Sequence, residues 1–241
     1  MAQVCVLPAL HECAVIEEEV SRMTFQVVLV GSDGLIIGSD RKMFTEAPYI
    51  KGSDQPIPQF EEQSKFIATE DETIICACSG DQEAQRIARQ IVLRLDPNLS
   101  PVAWIAALDS LARRPELTRS AQLIVVRKSH PDHALWLVAG PLGYVSRIEE
   151  RQCVGAKTSA CFLLSNFFKK CGVDELRTLA LLTLDYGATE FPTSVGRNYD
   201  LLMLRSGKEV AEWERYEDTD GRVQELRKSF DKAAATVIWG S

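Results

Sequence analysis

Helical periodicity in this sequence comes in consecutive pairs, and each pair stands between runs of strand-like segments. A doubly wound parallel sheet alternates single strands with single helices, so this order speaks against one. Antiparallel sheets covered by helix layers fit it. A four-layer α-β-β-α sandwich of two antiparallel sheets, an α+β fold, satisfies both the order and the amount of apolar strand surface.

The pattern starts at Thr24. Residues 24–30 alternate, with Phe25, Val27 and Leu29 on one face. Residues 34–39 form a second strand, and the turn at Gly31-Ser32-Asp33-Gly34 makes the two a hairpin. Residues 44–63 carry Pro48, Gly52, Pro56, Pro58 and several acids, and read as a long loop. A strand pair follows at 65–68 and 73–78, turning at Glu70-Asp71-Glu72. Ala84, Ile87, Ala88, Ile91 and Leu95 share a helical face, capped by Ser79 or Asp81. Ser100-Pro101 opens a second helix to about Arg113. Strands return at 121–128, 133–139 and 143–148. Helices are expected from Thr158 to Lys170 and from Asp174 to about Ala188. Tyr199–Leu204 is a further strand, Arg205–Lys208 a turn, and 217–236 a polar terminal helix. Residues 1–23, with their run of glutamates, stand apart as an extension or propeptide, leaving 24–241 as a single domain with a C-terminal extension.

Composition narrows the function. A formal net charge of -7 argues against a general nucleic-acid binder. No apolar run reaches membrane-spanning length, and the first residues lack a basic secretory region. The seven cysteines are scattered and odd in number, which does not read as a disulfide framework. Buried reduced thiols in a cytoplasmic protein are the better reading. The three histidines, His11, His130 and His133, are not placed to complete a metal site, so neither metal nor cofactor is expected.

Thr24, the turn glycine Gly34, Gly38-Ser39-Asp40-Arg41, Lys65, and Cys78-Ser79-Gly80 ahead of a helix occur in an order that resembles the proteasome β-subunit family of N-terminal nucleophile hydrolases, of the bacterial proteasome-homologue type. The resemblance covers about residues 24–205 by element order, with its specific motifs in 24–80. It implies that Thr24 becomes the first residue of the mature chain. A threonine hydroxyl is a weak nucleophile until a base takes its proton. A free α-amine titrates near ~8 and can be that base. The resemblance gives Lys65 the role of a nearby cation, Asp40 that of its carboxylate partner, and the Gly80 N–H that of an oxyanion donor.

The family also places an aspartate and two serines near the amine. Ser194-Val195-Gly196 occupies one serine region. An ungapped alignment puts Phe191 where the aspartate would be, with Glu190 or Asp185 as substitutes after a local shift. Thr158 or Ser159 would supply the other hydroxyl. Met23 stands where family propeptides commonly end in glycine. Thr24 is then exposed either by methionine removal after translation from Met23 or by autocatalytic cleavage of a genuine propeptide.

The activity so implied is a threonine endopeptidase degrading unfolded protein or peptide inside a homo-oligomeric double ring, cytoplasmic, without nucleic-acid or membrane partners. The resemblance leaves room for an ATP-dependent unfoldase partner, although no sequence feature identifies one. Helices 84–95 and 158–171 and the terminal extension are candidate assembly surfaces. Two other readings stay open: a non-catalytic ring subunit that keeps residues 1–23, and an N-terminal nucleophile amidase cutting small amides.

Overall fold

The structure is a computed structural model that describes residues 24–45, 59–80, 82–117, 121–129, 133–139, 143–155, 164 and 167–229. Two five-stranded antiparallel sheets form its centre. The first is built from β1 (Phe25–Val30), β2 (Gly34–Asp40), β10 (Arg151–Gly155), β11 (Tyr199–Arg205) and β12 (Glu212–Tyr216), in the order β10-β1-β2-β11-β12. The second contains β5 (Phe66–Ala68), β6 (Ile74–Cys78), β7 (Gln122–Arg127), β8 (Ala134–Ala139) and β9 (Tyr144–Arg147), in chain order.

Strand alternation explains how the sheets stack. Val28, Leu35, Ile37, Leu202 and Leu204 of the first sheet pack against Ile75, Ala77, Ile124 and Val126 of the second. The other parity of the first sheet, including Phe25, Val27, Leu29, Ile36 and Leu201, packs with Leu176, Ala180 and Leu184 of helix α3 (Val173–Glu190). On the second sheet, Ile74, Cys76, Cys78 and Val125 pack with residues of helices α1 (Gln82–Val92) and α2 (Pro101–Ala112). Each sheet thus buries both faces, one on its partner and one on helices. This is the expected α-β-β-α sandwich. Cys76 and Cys78 face the same way, as their spacing requires, and both thiols are buried.

Local signals account for most helix limits. Ser100 caps α2, its hydroxyl accepting the Ala103 N–H, with Pro101 in the first turn. The expected cap at Ser79 is not made. Ser79 Oγ instead donates to the Gln122 carbonyl and accepts the Gln122 N–H, joining β6 to β7 where α1 begins. Asp81 lies outside the described residues. Among the described residues the terminal helix covers 221–229, and a turn at 218–219 precedes it, so it starts later than the expected 217.

Two other readings change. The long loop read at 44–63 contains strand residues at both ends: β3 (Lys42–Thr45) pairs antiparallel with β4 (Gln59–Glu62) as a small separate sheet. Strand β10 extends the first sheet beyond β1, and β12 lies beyond β11 after the expected turn at Arg205–Lys208; neither strand was expected from the sequence. The extension or propeptide read at 1–23 and most of the helix expected at 158–170 fall outside the described residues. Leu164 and Phe167 are helical, and the Phe168 N–H donates to the Leu164 carbonyl.

Candidate active site

The β1–β2 hairpin sets the site by register. Gln26 lies opposite Ser39, which brings the Phe25 amide to Asp40, where its N–H donates to Oδ1 at 2.8 Å. That bond fixes the peptide unit joining Thr24 to Phe25. Lys65 comes from the other sheet. Its carbonyl accepts the Cys78 N–H beside β6, while its Nζ reaches Oδ1 of Asp40 at 2.9 Å. Oδ2 of Asp40 accepts the N–H of Lys42 and the N–H of Gly196, each at 3.1 Å. One carboxylate therefore joins the start of β1, the end of β2, the start of β3, the approach to β5 and the loop after α3. Every partner is a donor.

Asp40 and Lys65 are both fully buried, and Thr24 is 3% exposed. Burial pushes the Lys65 ammonium below its ordinary range, since a charge in the interior loses its hydration, and the Asp40 carboxylate opposes that shift. The nearby Lys42 cation adds a smaller push downward. Lys42 is itself held, its Nζ donating to the Pro192 carbonyl and lying 4.2 Å from the centre of the Phe60 ring.

Two glycines shape the surroundings. Gly155 faces Phe25 across β10 and β1 with φ +92°, and a Cβ on it would fall 1.5 Å from the Thr24 carbonyl oxygen. Only a residue without a side chain lets β10 pass so close to the Thr24 peptide. Gly80 follows β6 with φ +118°, a conformation that favours glycine at a strand-to-helix turn. It lies two residues beyond Cys78, whose amide pairs with Lys65, so it belongs to the same end of the sandwich.

The structure thus joins Asp40 directly to Lys65 and to the residue following Thr24. Ser194 is buried two residues before the Gly196 donor, its own N–H donating to the Phe191 carbonyl. Thr158 and Ser159 lie outside the described residues. Asp185, one of the two substitutes considered for the aspartate, has its carboxylate held by Arg227 through Nε and Nη2, and the Tyr199 hydroxyl donates to it at 2.9 Å. Glu190 sits in the last turn of α3, and Phe191 caps that helix. The sequence reading missed the Phe25, Lys42 and Gly196 amides and the Gly155 passage. The triplet Ser194-Val195-Gly196 and the glycine in Val154-Gly155 were the available signals.

No protein-family model matches the chain, and no curated protein matches it in sequence. Solved structures do match. Anbu from Hyphomicrobium sp. strain MC1 superposes with a TM-score of 0.69 at 14% identity, over 89% of this chain and 96% of that one. Anbu, described as an ancestral beta-subunit, from Yersinia bercovieri gives 0.68 at 16% identity, over 89% and 96%. The helical assembly of the Anbu complex from Pseudomonas aeruginosa gives 0.69 at 17% identity, over 90% and 97%. The fold is therefore the sandwich fold of these Anbu structures.

These neighbours correct the resemblance drawn from the sequence. They are Anbu proteins, a proteasome-like but distinct family, rather than proteasome β-subunits of the bacterial homologue type. The residues that carried the resemblance mark positions in a scaffold, and a scaffold is what such proteins share. Identity this low establishes the fold and nothing finer.

Proposed function

We propose that the chain is a threonine-type hydrolase of polypeptides in which Thr24, once freed at its amino end, attacks the scissile carbonyl. The observation that carries this reading is the fully buried Asp40 carboxylate, which holds Lys65 through one oxygen and, through the same oxygen, the amide that follows Thr24. A structural strand end has no need of a buried lysine at that point, since burying an ion pair is seldom stabilising in itself.

The Thr24 hydroxyl loses its proton to the α-amine as its oxygen bonds to the carbonyl carbon. The carbonyl oxygen takes up the electron pair and is met by the Gly80 N–H. The tetrahedral intermediate collapses with departure of the amine half of the substrate, which leaves with the proton. Water then hydrolyses the ester and restores Thr24. Lys65 supplies a fixed positive charge beside the nucleophile, and Asp40 orients it. Ser194 and Thr158 are the hydroxyls assigned to the surroundings of the amine.

Copies of the chain assemble with one another in this reading. One structural neighbour is described as a helical assembly of its complex. Head-to-tail interfaces give rings when the rotation closes and helical stacks when it does not. Electron microscopy of the purified chain distinguishes the expected double ring from an open stack.

The deciding experiment joins intact mass with a threonine-reactive covalent probe. Protein from its native host should begin at Thr24, carry one probe adduct on that residue and cleave casein. A chain that retains residues 1–23 and takes no adduct sinks the proposal. Turnover of acyl-amino acids without cleavage of casein selects the small-amide reading instead.

A further inference from the structure

A polar row crosses the interior of the sandwich beside the Asp40 node. Gln26 pairs with Ser39, Ser39 with Asp200, and Asp200 with Arg215, so the row spans β1, β2, β11 and β12 at one level. Two residues further in, Val28, Ile37 and Leu202 form the equivalent row and belong to the apolar core between the sheets. Strand parity gives Gln26, Ser39 and Asp200 the same inward face. Gln26 and Ser39 are fully buried and Asp200 is 6% exposed.

The row is incompletely bonded. Gln26 Nε2 donates to Ser39 Oγ at 3.4 Å, and Ser39 Oγ donates to the Asp40 carbonyl at 3.1 Å. Arg215 Nε reaches Asp200 Oδ1 at 3.4 Å, and Arg41 Nε stands 3.7 Å from the same oxygen. Gln26 Oε1, Asp200 Oδ2 and Arg41 Nε have no hydrogen-bond partner among the described residues. Reversing the Gln26 amide only exchanges an unpaired oxygen for an unpaired nitrogen. Buried polar atoms of native proteins are almost always bonded, to protein or to ordered water.

We infer that this row is a hydration site: ordered water lies between the sheets, donating to Gln26 and Asp200 and accepting from Arg41. Water can do both, which the mixture of two acceptors and one donor demands. A metal ion would meet a single carboxylate already faced by two guanidinium groups, and no cluster of three metal-binding side chains occurs among the described residues. Thr24 shares the parity of Gln26, about 7 Å along the chain at strand spacing, so the row begins two residues from the candidate nucleophile on the same face. The site does not depend on Thr24 being catalytic.

Its test is independent of activity. A crystal structure of the whole chain, at a resolution that shows ordered water, should place at least one water within hydrogen-bond distance of Gln26 and Asp200. In solution, magnetic relaxation dispersion of water should detect a long-lived internal water whose amplitude falls in Gln26→Leu. Direct pairing of Gln26 and Asp200 with protein groups in a dry interface would overturn the inference, as would a metal ion at coordination distance. An unchanged dispersion amplitude in a folded Gln26→Leu would do the same. Should that variant fail to fold, the wild-type crystal alone decides.

Discussion

The ammonium of Lys65 lies 2.9 Å from the carboxylate of Asp40, with both side chains wholly shielded from water. The two residues are rooted in different sheets, so the pair spans the sandwich at its candidate catalytic end. Breaking a buried pair from one side strands the other charge. Lys65→Met should therefore lower stability by about 3 kcal/mol or more. The backbone donors from Phe25, Lys42 and Gly196 remain on Asp40 and temper the loss. Urea unfolding followed by tryptophan fluorescence measures it. A loss under about 1 kcal/mol would place the pair in the range of an exposed ion pair and contradict the geometry.

Thr24→Ala should abolish peptide cleavage while leaving the unfolding midpoint close to that of the parent, because it removes a small side chain at a strand end. Thr24→Ser keeps a hydroxyl and should retain activity. Casein turnover and thermal melts of the three proteins check this. Equal turnover by Thr24→Ala would remove the residue from the chemistry.

Gly155→Ala tests the close passage of β10. The new methyl would overlap the Thr24 carbonyl oxygen at 1.5 Å, and the backbone at φ +92° resists any side chain. The chain must shift to accept it, with strain of about 1–3 kcal/mol or more. Cleavage should fall at least tenfold, since the moved peptide carries Thr24. A variant with native stability and native turnover would show that β10 runs elsewhere.

Asp71 offers a pH test away from the site. Thr69 Oγ1, the Thr73 N–H and Thr73 Oγ1 all donate to its Oδ1 in the β5–β6 turn, and these bonds pull its carboxyl down to about 2 from an ordinary 3.8. A depressed carboxylate stabilises the fold above its unfolded value. That contribution is lost as pH falls from 3.8 towards 2. NMR titration of the Asp71 carboxyl should show the low midpoint, and Thr69→Val should raise it. A midpoint near 4 in the parent protein would refute the turn geometry.

What could be read in advance depended on burial. The hairpin of β1 and β2 and the strands β6 to β8 are covered on both faces, and their apolar runs are plain in the sequence. The missed strands β10 and β12 lie at the two edges of their sheet. Their sequences, Arg151-Gln152-Cys153-Val154-Gly155 and Glu212-Trp213-Glu214-Arg215-Tyr216, carry the charges that edge strands use against unwanted pairing. Strand β4, Gln59-Phe60-Glu61-Glu62, looked like loop for the same reason.

The site divided along another line. Asp40 and Lys65 have side chains whose chemistry is visible in a one-letter code. The other three donors to Asp40 are backbone amides, which nearly every residue owns, so nothing in the sequence singles out Phe25, Lys42 or Gly196. Asp185 shows the same limit from the other side: its carboxylate is visible in the sequence, but its engagement by Arg227, 42 positions along the chain, is not.

The donors to Asp40 come from positions 25, 42, 65 and 196, and the last is separated from the carboxylate by 156 residues. Chains emerge from the ribosome amino end first, and contacts between distant segments close late because of the loop entropy they cost. A nascent chain can therefore complete the first hairpin long before the loop after α3 exists. The carboxylate gains its full set of donors only when nearly the whole domain is in place. The node is therefore among the last parts of this fold to be completed, since its Gly196 donor is among the last to leave the ribosome.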